Sequence, residues 1–381
     1  MKTLFIATWF MPDTGGSITI YNNVYSRYPS KEIVVLTKTT CGWREFDRKF
    51  KIPVYRLPAK RYIFLRPESL LIYAGFLVYS LFLVLLKRVK LVHCDQVLWA
   101  GLIGYLLKII LKTPYVVYAH GEEITMQLRE KEKVMRKIYN SADFIIANSS
   151  YTESLLLKLG VCKDKIKIVH PGIDAIRFNP SLDPAPVIMR HGLQNKTVLL
   201  TVSRLEERKG HDMVIRALPG VLAQFPDLMY LIVGAGEEDG RLKSLVEKLN
   251  LKGSVIFAGK VDEKDLPLYY CCCDIFIMAN REVKGGSIEG FGEVFIEAAA
   301  CGKPAIGGDS GGVRDAILND ETGFLVNPND IGEISQKIIS LLRDKELSRK
   351  LGMQARQRAE IEFNWDLYYK KVNSLEEEGN R

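Results

Sequence analysis

The sequence predicts an α/β protein built from two doubly wound, Rossmann-like domains. Three observations carry this expectation. Apolar runs of strand length, such as Thr3–Thr8 and the segment PYVVYA, alternate with longer stretches of helical period. The alternation pauses in a Pro/Gly/Asn-rich stretch, His170–Pro186, and starts afresh at Thr197. The length, 381 residues, accommodates two or three domains. A composition of 47% apolar and 26% charged residues, with no low-complexity tract, is that of a globular chain.

Taken in order, the opening MKTLFIATWF runs directly into the first strand, and no signal or transit segment is expected. Pro12 and the pair Gly15–Gly16 then make a turn into a helix expected over Ser17–Tyr28. A glycine turn between a first strand and a first helix is a common approach to phosphate. Glu32–Thr37 reads as the second strand.

Residues 38–66 form the least regular part. They carry nine Lys or Arg against Glu45 and Asp47, with Trp43, Phe46, Phe50, Tyr62 and Phe64 interleaved. Such a mixture suits an anionic lipid surface, a single-stranded nucleic acid, or a solvated loop whose aromatics enter the core. The apolar run Leu70–Leu86 approaches the length of a membrane span. Strands resume immediately after it at Leu91-Val92-His93, so a helix buried against the sheet, or partly against lipid, is expected instead.

The helix Leu98–Lys112 and the strand Tyr115–Ala119 follow. That strand ends at His120-Gly121, where open parallel sheets bind ligands. Another strand with its turn is expected over Asn140–Asn148. Next comes a helix over Ser149–Gly160, capped by Ser149 or Ser150. In the second half, Thr197–Val202 is a strand that ends in SRLEERKG. Arg204 and Lys209 stand five apart across this strand-to-helix turn, a spacing that lets two cations clamp a diphosphate. Next comes the turn Gly234-x-Gly236. Its third glycine is displaced to Gly240, so it does not match the dinucleotide fingerprint.

The most informative stretch is KGGSIEGFGEVFIEAAACGKPAIGGDSGG, residues 284–312. It reads as a glycine-rich loop, a helix from about Glu293, a short buried strand and a second glycine turn. Gly290 and Gly292 flank Phe291 and let the backbone approach a ligand, while the helix start favours an anion. Glu289 stands before the loop and Glu297 one turn inside the helix, eight positions apart. The final helices are expected over Ile331–Leu342 and Lys345–Phe363.

Net charge is +8 and uneven. Residues 1–170 hold 26 Lys or Arg against 13 Asp or Glu, whereas the remainder hold 27 against 32. A basic first half points to an anionic partner there. Seven cysteines, an odd number, suggest a reducing compartment. Cys271, Cys272 and Cys273 are consecutive, so they diverge on a helix and read as small core residues rather than metal ligands.

The pair Glu289 and Glu297 resembles the E-x7-E motif of the retaining GT-B glycosyltransferases of family 4. The flanking EGFGEVFIEAAACGKPAIGGDSGGV resembles nucleotide-sugar transferases of the phosphatidylinositol mannosyltransferase type. The likeness runs through nearly the whole chain, including the HG pair at His120 and the PGIDAIRF segment after His170. It implies a GT-B fold: an acceptor-binding domain of residues 1–170 plus 361–381, a nucleotide-sugar domain of residues 171–360, a cleft between them, and a terminal helix that crosses back.

The resemblance also implies roles. Gly15 and Gly16 would cover the donor diphosphate. His120 would meet the transferred sugar, and Arg204 with Lys209 would bind the diphosphate. Gly236 and the turn holding Lys260 and Val261 would lie at the nucleotide. Glu289 would orient the sugar hydroxyls. Phe291, Gly292, Glu293 and Val294 would form the loop and helix start at the phosphates, and Glu297 would take the ribose diol.

The expected reaction is transfer of a hexose from a nucleotide sugar, with GDP-mannose favoured. The expected acceptor is a hydroxyl of a lipid-linked or glycan molecule. No cofactor or required metal is expected, because two cations and a helix terminus supply the electrostatics a metal would. An anionic membrane surface is an expected partner and nucleic acid is not, which places the protein in the cytoplasm at the inner membrane face. Three alternatives stand beside this: a GT-B transferase using UDP-glucose or UDP-N-acetylglucosamine on a soluble acceptor, a nucleotide-dependent oxidoreductase, and a non-catalytic anion- or lipid-binding module.

Overall fold

The structure is a computed structural model that describes residues 2–13, 15–58, 68–125 and 129–378. Its chain divides into two compact units, Met1–His170 with Trp365–Arg381, and Pro171–Asn364. The return to the first unit therefore comes at Trp365 rather than at 361. Residues up to Asn364 are tied to the second unit, where the Ile173 N–H donates to the Phe363 carbonyl and Phe363 is buried.

In the first unit the described residues form seven parallel strands: β1 (Thr3–Ile6), β2 (Ile33–Lys38), β3 (Val54–Leu57), β4 (Leu91–Cys94), β5 (Tyr115–Ala119), β6 (Phe144–Ala147) and β7 (Ile166–Ile168). Their order is β3-β2-β1-β4-β5-β6-β7. Thr3 of β1 pairs with Ile33 on one side and Leu91 on the other. The order reverses between β1 and β4, and the crevice beyond the strand ends at such a point is where doubly wound sheets take ligands. Thr8, Asp95 and His120 all lie just past strand ends there.

One face of this sheet is covered by the helices Glu68–Lys87, Ala100–Leu111 and Arg129–Ser141, which bury Phe76, Leu83, Ile103, Leu107, Met135 and Ile138. The opposite face carries the helix Gly16–Tyr25 and the terminal helix Trp365–Glu378. Their Tyr21, Tyr25, Trp365 and Val372 share a core with Phe5 and Tyr118.

Residues 38–58 hold more order than their sequence suggests. A helix, Trp43–Lys49, precedes β3. Phe46 and Phe50 pack edge-on against Phe10, 6.3 and 5.7 Å away between ring centres, so these two half-buried aromatics lie against the core. Arg56 is also lost to the surface, since its guanidinium lies 2.9 Å from Asp47 with 2% of its side chain exposed. The cations and aromatics at Lys60, Arg61, Tyr62, Phe64 and Arg66 lie outside the described residues.

The second unit contains β8 (Thr197–Val202), β9 (Leu228–Val233), β10 (Val255–Gly259), β11 (Ile275–Met278), β12 (Ala305–Gly308) and β13 (Gly323–Val326). Their order is β10-β9-β8-β11-β12-β13, all parallel, with the reversal between β8 and β11. Cys271 and Cys273 are buried here, as small core residues should be. Among the described residues no helix is long and apolar enough to cross a membrane. The helix Glu68–Lys87 instead buries Phe76, Ser80, Leu83 and Val84 within its unit.

Candidate active site

Each functional side chain of the second unit sits on a segment leaving the C-terminal end of β8, β9, β10 or β11. Arg204–Lys209 follows β8 and Glu289 lies in the loop after β11. The two segments are joined because the Arg281 N–H donates to the Arg208 carbonyl at 2.8 Å. The turn with Gly236 is tied to the same loop, as the Leu205 N–H donates to the Ala235 carbonyl at 3.1 Å. The turn before Lys260 and Val261 is tied in through Gly234 N–H to Gly259 carbonyl, 2.8 Å. Glu289 is fixed from behind: its carbonyl accepts from the Gly312 N–H at 2.9 Å. A Cβ on Gly311, whose φ is +63°, would stand 2.1 Å from that same carbonyl, so only glycine fits.

The side chains form a ladder of alternating charge. The Arg204 guanidinium pairs with Glu206 at 2.5 Å, and Arg208 bridges Glu206 at 3.0 Å and Glu289 at 3.3 Å. The Lys209 ammonium donates to the Glu289 carboxylate. Three cations thus share two acids, leaving an excess of positive charge beside the loop. Glu289 has only 15% of its side chain exposed. Burial works to raise its pKa, but Lys209 and then Arg208 outweigh burial and hold the carboxyl below its usual value.

Glu297 lies in the helix Glu293–Ala300, whose N-cap is Gly292 at φ 92°. Its carboxylate accepts from the Tyr270 hydroxyl at 2.5 Å. Burial pushes the Glu297 pKa up to about 7, with the Tyr270 hydrogen bond opposing. Glu293 lies between the two motif acids, and burial followed by the charges of Glu297 and Glu289 pushes its pKa well up. No side chain of the cap residue covers the helix start at Glu293 and Val294. The Phe291 ring is buried in the core against Phe363, so this residue offers the loop surface its backbone, not its side chain.

The first unit holds the remaining predicted residues. Gly15 is the N-cap of the helix that begins at Gly16, and this helix carries Tyr21 to His120 at the end of β5. The Tyr21 hydroxyl lies 2.8 Å from the Asp95 carbonyl and 2.6 Å from His120 Nε2. A carbonyl only accepts, so the one hydroxyl proton goes to Asp95, and the Tyr21 oxygen accepts from Nε2–H. Burial lowers the His120 pKa to about 4, so the ring is neutral and its lone pair is on Nδ1. Burial also raises the neighbouring Asp95 carboxyl to about 7.

Three residues escaped the sequence reading: Arg208, Tyr270 and Tyr21. Arg208 was legible only as one of several cations in SRLEERKG. The two tyrosines act across 27 and 99 positions, which no local pattern reports.

Comparison with known proteins settles the class. The family model "Glycosyl transferases group 1" matches residues 189–358, and "Glycosyltransferase Family 4" matches residues 31–177. A mannosyltransferase of Corynebacterium glutamicum, described as GDP-mannose-dependent and acting on monoacylated α-(1-6)-phosphatidylinositol monomannoside, is 31% identical over 265 residues. The match spans 68% of this chain and 69% of that one. The chain belongs to the GT-B glycosyltransferases of family 4.

A second relative, the GDP-mannose-dependent α-(1-6)-phosphatidylinositol monomannoside mannosyltransferase of Mycolicibacterium smegmatis, is 29% identical across 95% of this chain and 94% of its own. Among solved structures, Anabaena Alr3699/HepE in complex with UDP superposes with a TM-score of 0.85 at 22% identity, covering 98% of this chain and 99% of that one. The protein is therefore a glycosyltransferase that uses a nucleotide sugar, which sets aside the oxidoreductase and the non-catalytic module.

The ladder makes a specific demand on Arg208, whose side chain is 7% exposed. Arg208→Ala removes one of the two closest cations from Glu289 and leaves Glu206 with Arg204 alone. Such a change is expected to cost about 3 kcal/mol of stability by denaturant unfolding. It should also raise the Glu289 pKa, measured by carboxyl NMR titration.

Proposed function

We propose that the protein transfers a hexose, mannose in the first instance, from GDP-mannose to a hydroxyl of a lipid-linked or glycan acceptor. The anomeric configuration is retained and no metal is required. The observation that carries this reading is the cation-rich ladder of Arg204, Arg208 and Lys209 around Glu289, with Glu297 on the adjoining helix. The activities for which the relatives are named support the choice of GDP-mannose and of a phosphatidylinositol-bearing acceptor.

Charge grows on the diphosphate as the sugar leaves. Arg204, Lys209, the helix start at Gly292–Val294 and the Gly15–Gly16 turn are the groups proposed to neutralise it. Lys209 is already poised by Glu289, which limits the rearrangement needed when phosphate arrives. Glu289, kept ionised by its cations, orients the sugar hydroxyls. Glu297 accepts from the ribose diol once ionised. Gly236, Lys260 and Val261 border the nucleotide, and His120, through its Nδ1 lone pair, accepts from a hydroxyl of the transferred sugar. The departing phosphate takes the acceptor proton, so attack and departure share one face. A protein at the inner membrane face, in contact with anionic lipid, fits such an acceptor.

The test is transfer from radiolabelled GDP-mannose to extracted lipid acceptors, with the product anomer read by NMR. The α-mannoside is expected, at a rate unchanged by EDTA and reduced at least about a hundredfold in Glu289→Ala. An inverted product, or activity abolished by EDTA, contradicts the mechanism.

A pH dependence follows from Glu297. Its folded pKa lies above the unfolded value, so between them the folded state holds the extra proton. Its contribution to stability is therefore lost as pH rises towards about 7. Binding of the ribose diol needs the ionised form, so GDP affinity is expected to rise by about tenfold from about pH 6 to about pH 8. Calorimetric titration should show this rise in the natural protein and a flat profile in Glu297→Gln.

A further inference from the structure

Glu293 stands midway between the motif acids, four positions after Glu289 and four before Glu297. It is the first residue of the helix Glu293–Ala300, whose cap, Gly292, contributes no side chain. Glu297 follows it by one helical turn, so the two carboxyls share a face on which like charges oppose each other. Glu293 is half-buried, and among the described residues none forms a hydrogen bond or ion pair with its carboxyl.

Charge around Glu293 is closely balanced. Arg204, Arg208 and Lys209 face Glu206 and Glu289. Once Glu297 ionises to take a diol, three cations meet three acids. A fourth negative charge, at Glu293, would turn these surroundings against a diphosphate. It would also stand at the helix start, where the open N–H groups would serve the carboxylate instead of the ligand. The protein avoids this by keeping the proton on Glu293. Burial, followed by the charges of Glu297 and Glu289, raises its pKa well above the usual carboxyl value, and Lys209 opposes them. Each neighbouring acid that ionises makes Glu293 hold its proton more firmly. Charged and titratable groups on the elements packed against this helix are engaged elsewhere. Tyr270 is turned to Glu297, and Arg356 and Arg358 of the helix Lys345–Glu362 donate to the carbonyls of Ala300 and Ala316.

We propose that Glu293 acts at the donor site in its acid form, donating a hydrogen bond from its carboxyl O–H to an oxygen of the diphosphate. A carboxylate only accepts, whereas a carboxylic acid also donates, and an O–H bond to a charged phosphate oxygen is of the strong kind. The third acid of the loop thereby joins Arg204, Lys209 and the helix start as a donor to the leaving group. When the bond from the anomeric carbon to the diphosphate oxygen breaks, its electron pair stays on the diphosphate. The acceptor oxygen bonds to the anomeric carbon, and the acceptor proton goes to the diphosphate. Glu293 keeps its own proton throughout, and its hydrogen bond strengthens as charge on the leaving oxygen grows. The inference rests on the proposed donor site and assigns it a side chain outside the motif pair.

The experiment is calorimetric titration, near neutral pH, of GDP-mannose and of guanosine into the natural protein, E293A and E293Q. The phosphate groups of GDP-mannose carry no proton in this range, so the ligand does not titrate. E293A removes the donor and should weaken GDP-mannose binding at least about fivefold. E293Q, whose amide N–H still donates, should stay within about threefold of the natural protein. Guanosine has no phosphate to meet, so its affinity should be the same in all three, which a merely structural role would not give. In turnover E293A should lose at least about tenfold in kcat, with most of the loss recovered in E293Q. Tighter binding of GDP-mannose by both variants, the mark of an ionised and repelling acid, overturns the proposal. An affinity that neither variant changes, beside a normal preference for GDP-mannose over guanosine, overturns this inference alone. No such preference in the natural protein sinks the proposed donor site and this inference with it.

Discussion

The rest of the second unit is arranged around one ion pair, Lys209 with Glu289, reinforced by Arg208. A carboxylate so little exposed is tolerated only with its cations in place, because an uncompensated charge there costs several kcal/mol. That requirement fixes the segment after β8 against the loop after β11. These are the two strands at which the sheet order reverses, so the pair stands where the fold itself opens a crevice. Backbone contacts from Gly312 and Arg281 hold the two segments in register and keep side-chain entropy out of the cost.

The two motif acids share a spacing and differ in state. Glu289 is surrounded by cations that outweigh burial and hold its carboxyl below the usual value, whereas burial raises Glu297 to about 7 against the opposing hydrogen bond from Tyr270. Opposed environments of this kind commonly separate the roles of two like groups in one site. In the proposed reaction one acid is a permanent acceptor for the sugar and the other is tuned by pH. On the first unit, His120 is held neutral by burial and in one tautomer by Tyr21, so both units present hydrogen-bond acceptors whose protonation is set by their surroundings.

Much of this was legible in the sequence. The strand–helix alternation, its restart at Thr197 and the Glu289–Glu297 spacing are local patterns, and local patterns report secondary structure and loop chemistry well. Lys209 was visible for the same reason. Arg208, its neighbour, was not, because its partners Glu206 and Glu289 are brought together only by the parallel sheet. Phe291 was legible as part of the loop before the helix, but nothing local showed that its ring packs on Phe363 in the core. The helix Trp43–Lys49 was hidden by a high density of charge, although Trp43, Phe46 and Phe50 are spaced to share one face. The exposure of Val78 and Phe82 on the helix Glu68–Lys87 was equally hidden, since a run apolar on all sides does not reveal which side meets the sheet.

The central claim is that the cations at Glu289 hold a diphosphate. Calorimetric titration of GDP and of guanosine into the natural protein and into Lys209→Ala tests it most directly. The account predicts that GDP binds the natural protein at least about a hundredfold more tightly than guanosine does, and that Lys209→Ala erases most of that difference while leaving guanosine binding unchanged. Equal affinity of the two proteins for GDP would contradict it.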